Sequence, residues 1–495
     1  MITSDIRNRY IPTIGIECHV QFKTATKLFA GVANDAREAA PNTLVSHICF
    51  GLPGSLPVLN KESVHLGMRA AFALGAVPQK YSSFDRKHYF YPDLPMGYQI
   101  TQFNHPIILG GSITITVEGA EKKIGITRAH LEADAGKSTH PAGADYSLVD
   151  LNRAGTPLLE IVSEPELHTA LEAKAYAREL YLRMRYADVS DCNLYYGNMR
   201  FDVNVSVSKD AKKLGTRSET KNLNSFRAVE KAVEYEINRQ IERLEKGEDI
   251  IQETRGWDDA KQRTFSQRTK EDAHDYRYFP DPDLPPVVLS DEMIETVKAE
   301  MPVMPDEWRA RLQALGLDRS SMETLLEAQA EEGQANYLSL IETMLDRREQ
   351  ATSVTNWMIN IEIPLRREGK LTTVASDAAR TRIYAETYAL SKKGLLSSTN
   401  AKALLIQLLE NNDNRSAEAV AKQHNLIQES DSGAIEAIVR KVIEENPKAA
   451  TDVMSGEMKA IGFLVGQVMK QSQGRANPGL AQELIKKQLQ QETPQ

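Results

Sequence analysis

The stretch Ile14-Gly15-Ile16-Glu17-Cys18-His19-Val20-Gln21-Phe22 decides how the rest of the chain is read. Ile14, Ile16, Cys18, Val20 and Phe22 take alternate positions, the period of a β-strand with one face toward a core. The other face then carries Glu17, His19 and Gln21, so a carboxylate and an imidazole stand two residues apart on one side of a sheet. A strand of this kind is built like a ligand platform.

Later segments repeat the pattern. Residues 126–134 place Arg128, His130, Glu132 and Asp134 on one strand face, and Glu160 stands alone in the apolar run 158–162. Residues 201–207 turn Asp202 and Asn204 away from an apolar face, and Arg217, Glu219 and Lys221 share one face of 216–223. Carboxylates this close to apolar residues are costly unless something neutralises them. Basic neighbours are one solution and a hard cation is the other. Oxygen donors suit Mg²⁺ or Mn²⁺, and five acids with one imidazole are enough to hold two ions, an arrangement that serves phosphoryl transfer. Against this, any one of these acids is more often solvated or salt-bridged than a ligand. His19 taken alone, like His88, His105, His130 and His140, reads as a hydrogen-bonded structural histidine, and Arg128 and Arg217 could pair the acids. The chain has no GxxxxGK[ST] loop and no strand-linked GxGxxG, so a nucleotide would have to be held through metals and side chains.

The 495 residues correspond to roughly three domains. A 41% hydrophobic and 26% charged composition is that of an ordinary globular protein. Cys18, Cys49 and Cys192 are far apart and form no CxxC pair, which argues against a disulfide framework and fits a reducing cytoplasm. No run approaches the ~18 apolar residues of a membrane span, and the N-terminal residues carry neither a signal nor a transit peptide pattern. The net charge of −8 excludes a protein that coats nucleic acid nonspecifically; any nucleic-acid contact must use a local patch.

Strand alternation at 14–22, 112–117, 124–134, 201–207 and 216–223 is interspersed with helical patterns at 61–74, 165–186 and 225–246, the last with Ser225 as N-cap and Gly247 as its stop. Residues 113–126 read as a hairpin with a Gly-containing loop. The proline-rich run 275–286 ends this mixed region, and from Ser290 onward helix-period segments dominate at 292–300, 306–315, 321–331, 336–347 and 354–361. A further break falls at 392–397, before a set of short helices and a Gln-rich, frayed tail after Gln488. Residues 85–102 mix Arg86, Lys87, Tyr89, Tyr91 and Tyr98 with prolines in a loop; this is either a substrate pocket, with the cations for anions and the rings for positioning, or a packed aromatic turn. Lys459–Lys470 with Arg475 is a packing helix or a module for RNA phosphates. Cys49 has no base near it in sequence and reads as a small core residue.

Taken together, the stretches IGIECHVQ (14–21), DRKHYFYPDLPMGYQITQ (85–102), HLEADAGK (130–137), DLNRAGTPLLEIVSEP (150–165), MRFDVNVSV (199–207), TRSETKNLNSF (216–226) and GFLVGQVMKQSQGRANP (462–478) resemble the B-subunit family of the aspartyl/glutamyl-tRNA(Asn/Gln) amidotransferases, over essentially the whole chain. The resemblance implies an α+β fold: a glutamine-synthetase-like cradle domain with an antiparallel sheet over 1–290, an all-α helical domain over 291–395, and a small α-helical, tRNA-binding tail over 396–495. It implies an ATP-dependent ligase that phosphorylates the side-chain carboxylate of Glu or Asp mischarged on tRNA, then amidates it with ammonia. The ammonia would come from a partner amidase, the A subunit, and a small C subunit would hold the heterotrimer together. Carried onto this sequence, the family's Mg²⁺ sites fall on Glu17, His19, Glu132, Glu160, Asp202 and Glu219, with Arg86, Lys87 and Tyr91 at the substrate. The resemblance also implies that some relatives hold a structural zinc with two cysteine pairs; here Ala30 and Val32 stand at the first pair and Ser46 replaces one member of the second, so no zinc is expected. Two rival readings are a non-catalytic tRNA-binding scaffold of the same complex and a two-metal nuclease acting on the RNA itself.

Overall fold

The computed structural model describes residues 3–269, 276–331, 335–372, 376–410, 415–428, 432–455, 459–472 and 476–491. Asp275 of the proline-rich run, Arg475, residues 456–458 and the last residues of the tail, 492–495, lie outside them. The chain divides into two compact units, Met1–Glu307 and Trp308–Gln495.

A 12-stranded sheet organises the first unit. In chain order its strands are β1 (Ile11–Gln21), β2 (Asp85–His88), β3 (Tyr98–Thr101), β4 (Ile108–Leu109), β5 (Ser112–Val117), β6 (Ala120–Ala133), β7 (Pro157–Ser163), β8 (Met199–Ser208), β9 (Ser218–Leu223), β10 (Glu253–Asp258), β11 (Arg263–Thr269) and β12 (Phe279–Pro280). Across the sheet they run β11-β10-β9-β8-β1-β7-β6-β3-β2-β12, with β4 and β5 also pairing with β6. The quoted N-terminal stretch is thus a central strand. Its alternation is real burial: Ile14, Ile16, Cys18, Val20 and Phe22 are at most 1% exposed. Phe201, Val203 and Val205 of β8 and Leu159 and Ile161 of β7 continue that apolar face.

Helices α1 (Lys61–Ala73), α2 (Ala170–Tyr186) and α3 (Phe226–Glu245) cover it, through Tyr176, Leu180 and Met184 of α2 and Val229, Val233, Ile237 and Ile241 of α3. Each such large apolar side chain taken from water contributes about 1.5–3 kcal/mol. Side-chain caps set the helix starts: Asn60 accepts from Glu62 N–H, Thr169 from Glu172 and Ser225 from Ala228. The helix expected from residue 165 therefore begins at Ala170, because Leu167 bridges to Ile14 of β1 before the Thr169 cap. The expected hairpin closes on Glu118 and Gly119, both at positive φ, and Gly247 at φ 77° follows α3.

Two expectations need correction. The sheet is not wholly antiparallel: β9 and β10 run parallel, with Glu219 opposite Thr254. Helix α3 lies between them in sequence and returns the chain for a second pass in the same direction, as a crossover connection requires. Residues 85–102 are not a loop but a hairpin, β2 against β3 with His88 opposite Tyr98, and Pro92 and Pro95 fall in its turn where no ladder donor is needed.

A further helix, α4 (Asp291–Ala299), begins at the Ser290 cap, and its Ile294 and Val297 join the core of the first unit. The second unit is helical. Ile435, Val439, Leu464, Val468 and Ile485 form a small core near its end, and the final helix continues through Gln491, past the point where fraying was expected. One helix carries a π-turn over Met358–Glu362. No described helix is long and apolar enough to cross a membrane.

Candidate active site

The face of the sheet opposite the helices collects the acids. His19 of β1 pairs with Glu160 of β7, and Glu160 with His130 of β6; Glu17 pairs with Asp202 of β8, and Asn204 with Glu219 of β9. Directly opposed residues share a face, so one polar stripe crosses β9-β8-β1-β7-β6. It resolves into two groups, His19–Glu132–Glu160 and Glu17–Asp202–Glu219, each with one donor atom per residue, all within 4.8 Å of one another. Two trans ligands of one Mg²⁺ stand about 4.2 Å apart, so each group suits one hard ion after small rotamer changes. Glu17 and His19 are two residues apart on β1, which sets the groups side by side at roughly 7 Å.

A bulge completes the second group. Between the pairs Val203–Thr220 and Phe201–Leu223, β8 spends one residue, Asp202, where β9 spends two, Lys221 and Asn222. Asn222 takes the left-handed φ of 60° and donates its N–H to Asp202 Oδ1 at 2.7 Å. The extra residue reverses the side-chain alternation, so Glu219 and Lys221 face the acids while Leu223 returns to the core.

Charge is unevenly balanced. Burial lowers the basicity of His19, but its hydrogen bond to Glu160 and the neighbouring carboxylates lift it to about 9. Burial resists ionisation of Glu160, yet His130, His19 and Lys87 hold its carboxyl well below the usual range. Glu132 is likewise held low against burial and the Glu160 charge by His130 and His19. His19 Nε2 is 3.5 Å from Glu160 Oε2 and 3.8 Å from Glu132 Oε1. Glu17 moves the other way. Burial, then Glu160 and Glu219, push its carboxyl up, although Asn204 Nδ2 donates to it at 3.0 Å. The second group is therefore the one short of positive charge.

The structure brings Lys87 to the stripe and keeps Arg86 from it. Neighbours on a strand point to opposite faces. Lys87 lies on the side of Thr101, which is opposite Glu132, and its Nζ stands 4.9 Å from the Tyr276 ring centre. Burial opposes its charge, but Glu132, Tyr278 and Glu160 raise its basicity. Arg86 instead donates to Asp281 at 2.8 Å and Asp283 at 2.9 Å, over the Tyr98 ring. Tyr91 sits in the hairpin turn, 47% exposed and edge-on to Tyr89. At the bend that the resemblance links to zinc, Lys27 Nζ donates to Cys49 Sγ at 3.4 Å, and Ser46 Oγ lies 3.6 Å from the same sulfur.

Sequence reasoning under-reads two residues. His130 Nε2 is 3.6 Å from both Glu132 and Glu160, although the sequence alone gives histidines other than His19 structural roles. Its parity with Glu132 on one strand is the available signal. Lys221 Nζ reaches Asp202 Oδ2 at 3.1 Å and Glu219 Oε1 at 2.9 Å. Arg217 is exposed and, with Thr13, Gly15, Glu17, Asn204 and Ser206, lines a cavity of about 240 Å³ beside the second group.

Comparison with known proteins places this geometry in a family. Residues 12–295 match the GatB/GatE catalytic domain model and 339–489 the GatB domain model. Among similar proteins are the aspartyl/glutamyl-tRNA(Asn/Gln) amidotransferase B subunits of Carboxydothermus hydrogenoformans, 43% identical, and of Coxiella burnetii (strain CbuG_Q212), 46% identical, both covering 97% of this chain and 99% of the relative. That of Gloeothece citriformis is 43% identical over 99% of this chain and all of the relative. The matches run through every strand that carries the acidic stripe: the chain belongs to the B-subunit family of the aspartyl/glutamyl-tRNA(Asn/Gln) amidotransferases.

Proposed function

We propose that this chain uses ATP to phosphorylate the side-chain carboxylate of glutamate or aspartate mischarged on tRNA(Gln) or tRNA(Asn), and that ammonia then displaces the phosphate to give the amide. The observation that carries the reading is the paired donor groups on one open sheet face. A carboxylate resists ammonia because its leaving group would be oxide. Transfer of the γ-phosphoryl group gives an acyl phosphate and ADP, and attack by ammonia then expels inorganic phosphate. No protein nucleophile is needed; the work is positioning and charge neutralisation.

Glu17, Asp202 and Glu219 would hold one Mg²⁺ and His19, Glu132 and Glu160 another, and the ions would spread charge off the moving phosphoryl group. Lys87, half-buried near Glu132 and Glu160, supplies a fixed cation for the substrate carboxylate or its phosphate. Residues 1–290, with α4 packed into their core, act as the catalytic cradle, the helices that follow up to 395 as a helical domain and 396–495 as the tRNA-binding tail. The partners are an amidase A subunit that releases ammonia from glutamine and a small C subunit, and the assembly works in the cytoplasm.

The test is reconstitution with the A and C subunits, ATP and each mischarged tRNA. Conversion to glutaminyl- or asparaginyl-tRNA, with ADP formed in step, supports the reading. Undiminished phosphorylation by the Glu132→Ala and Asp202→Ala variants would leave a scaffold role, and ATP-independent cleavage of tRNA in Mg²⁺ would leave a nuclease.

A further inference from the structure

Lys221 holds two of the three carboxylates that a metal ion would need. Its ammonium bridges Asp202 and Glu219, the same two carboxylates that converge with Glu17. An ammonium and a divalent ion cannot both use those oxygens: they repel at contact distance and compete for the same lone pairs. The structure also shows which partner can move. The Lys221 side chain is 44% exposed, on a flexible four-carbon stem, whereas Asp202 is 8% exposed. Asp202 is pinned independently by the Asn222 N–H at the bulge, so it keeps its position when the lysine leaves. The displaced ammonium has somewhere to go. Arg217 stands on the same side of the chain, two residues before Glu219, at the wall of the neighbouring cavity, and makes no hydrogen bond or ion pair among the described residues. Besides Glu17, the other walls are polar at Thr13, Ser163, Asn204 and Ser206 and apolar at Ile16, Val162, Pro165 and Leu214, so among the described residues Arg217 is the one cation in that lining until Lys221 joins it.

We propose that Lys221 is an exchangeable counter-ion: it offsets part of the charge of the Glu17–Asp202–Glu219 group in the metal-free protein, is displaced by the entering divalent cation, and then turns to the phosphate oxygens of the nucleotide beside Arg217. The proposal rests on the metal-dependent reading above and gives it an order of events, cation first and lysine second. Lys221 is in this sense a positioning residue in one state and a ligand contact in the other.

The exchange predicts two shifts of opposite sign. Full-length Lys221→Met, titrated with Mn²⁺ alone and followed by electron paramagnetic resonance, binds one of two ions about tenfold more tightly than wild type, because the competitor is gone. In saturating Mn²⁺ the same variant binds a non-hydrolysable ATP analogue about tenfold more weakly, because the released cation is missing. Lys221→Arg stays near wild type in both titrations. Lys221→Gln repeats the opposed shifts and serves if the methionine variant does not fold. Unchanged or weaker Mn²⁺ binding, or unchanged analogue binding, in the folded neutral variants overturns the proposal. Wild-type protein that binds no Mn²⁺ overturns the metal reading itself, a result distinguishable from failure of the lysine exchange.

Discussion

Glu362 offers the sharpest test of how the second unit is held together. The residue ends the π-turn and is fully buried. One carboxylate oxygen accepts Arg366 Nε and Nη2 at 2.9 and 2.8 Å and Arg380 Nε at 3.2 Å; the other accepts Arg380 Nη2 at 3.0 Å and the Tyr384 hydroxyl at 2.6 Å. Arg380 is itself completely buried. Replacing Glu362 by Gln keeps the shape but removes the charge and turns an N–H₂ toward guanidinium or hydroxyl donors. A buried pair broken on one side costs about 3–5 kcal/mol. For a unit of this size that lowers the melting temperature by roughly 10 °C, at 2–4 °C per kcal/mol. The pH dependence has a fixed sign. Burial opposes ionisation of Glu362, but Arg380, Tyr384 and Arg366 hold its carboxyl below the usual value of 4.5. Its stabilisation is therefore full above pH 4.5 and is lost as pH falls through the lower folded value. Calorimetry of wild type and Glu362→Gln at neutral pH and near pH 4 should show a wide gap that narrows in acid. A gap below about 1 kcal/mol at neutral pH, or one that does not narrow, refutes this reasoning.

The active-site predictions follow from the same kind of charge balance. Glu132→Gln and Asp202→Asn should each lower ATP-dependent phosphorylation of the mischarged tRNA by at least about 10²-fold, with tRNA binding retained in a filter assay. Mg²⁺ at about 100 times its dissociation constant should stabilise the first unit by about 2.7 kcal/mol for each filled site in calorimetry, and Glu219→Gln should abolish the share of its own group. Asn222→Val forces a β-branched residue into the left-handed bulge position and should cost about 1–2 kcal/mol in urea unfolding, while Asn222→Gly stays near wild type.

Much of this site is legible because a strand's period is two. Reading Glu17 and His19 off the polar side of β1, and Glu132, Asp202 and Glu219 off theirs, needs only alternation, whereas Glu160 stands out as the lone acid of an apolar run; the register sets all six across adjacent strands. The same rule separates Arg86 from Lys87 once residues 85–102 are recognised as a hairpin; the aromatic rings and prolines that follow the two cations hide the short strands. The parallel β9–β10 pair is not readable locally, since it depends on where α3 delivers the chain. Nor is the bulge, because nothing in Lys221-Asn222 announces an extra residue until the partner strand is known. Alternation therefore puts Lys221 on the right face without revealing its partners.

The proposed chemistry stands or falls on whether the two donor groups each hold a divalent cation. Crystals soaked in Mn²⁺ and measured at its absorption edge decide this. Two anomalous peaks are expected, each at about 2.1–2.2 Å from its donors, one among His19, Glu132 and Glu160 and one among Glu17, Asp202 and Glu219. Fully occupied Mn²⁺ sites elsewhere, with neither group holding density, would contradict it.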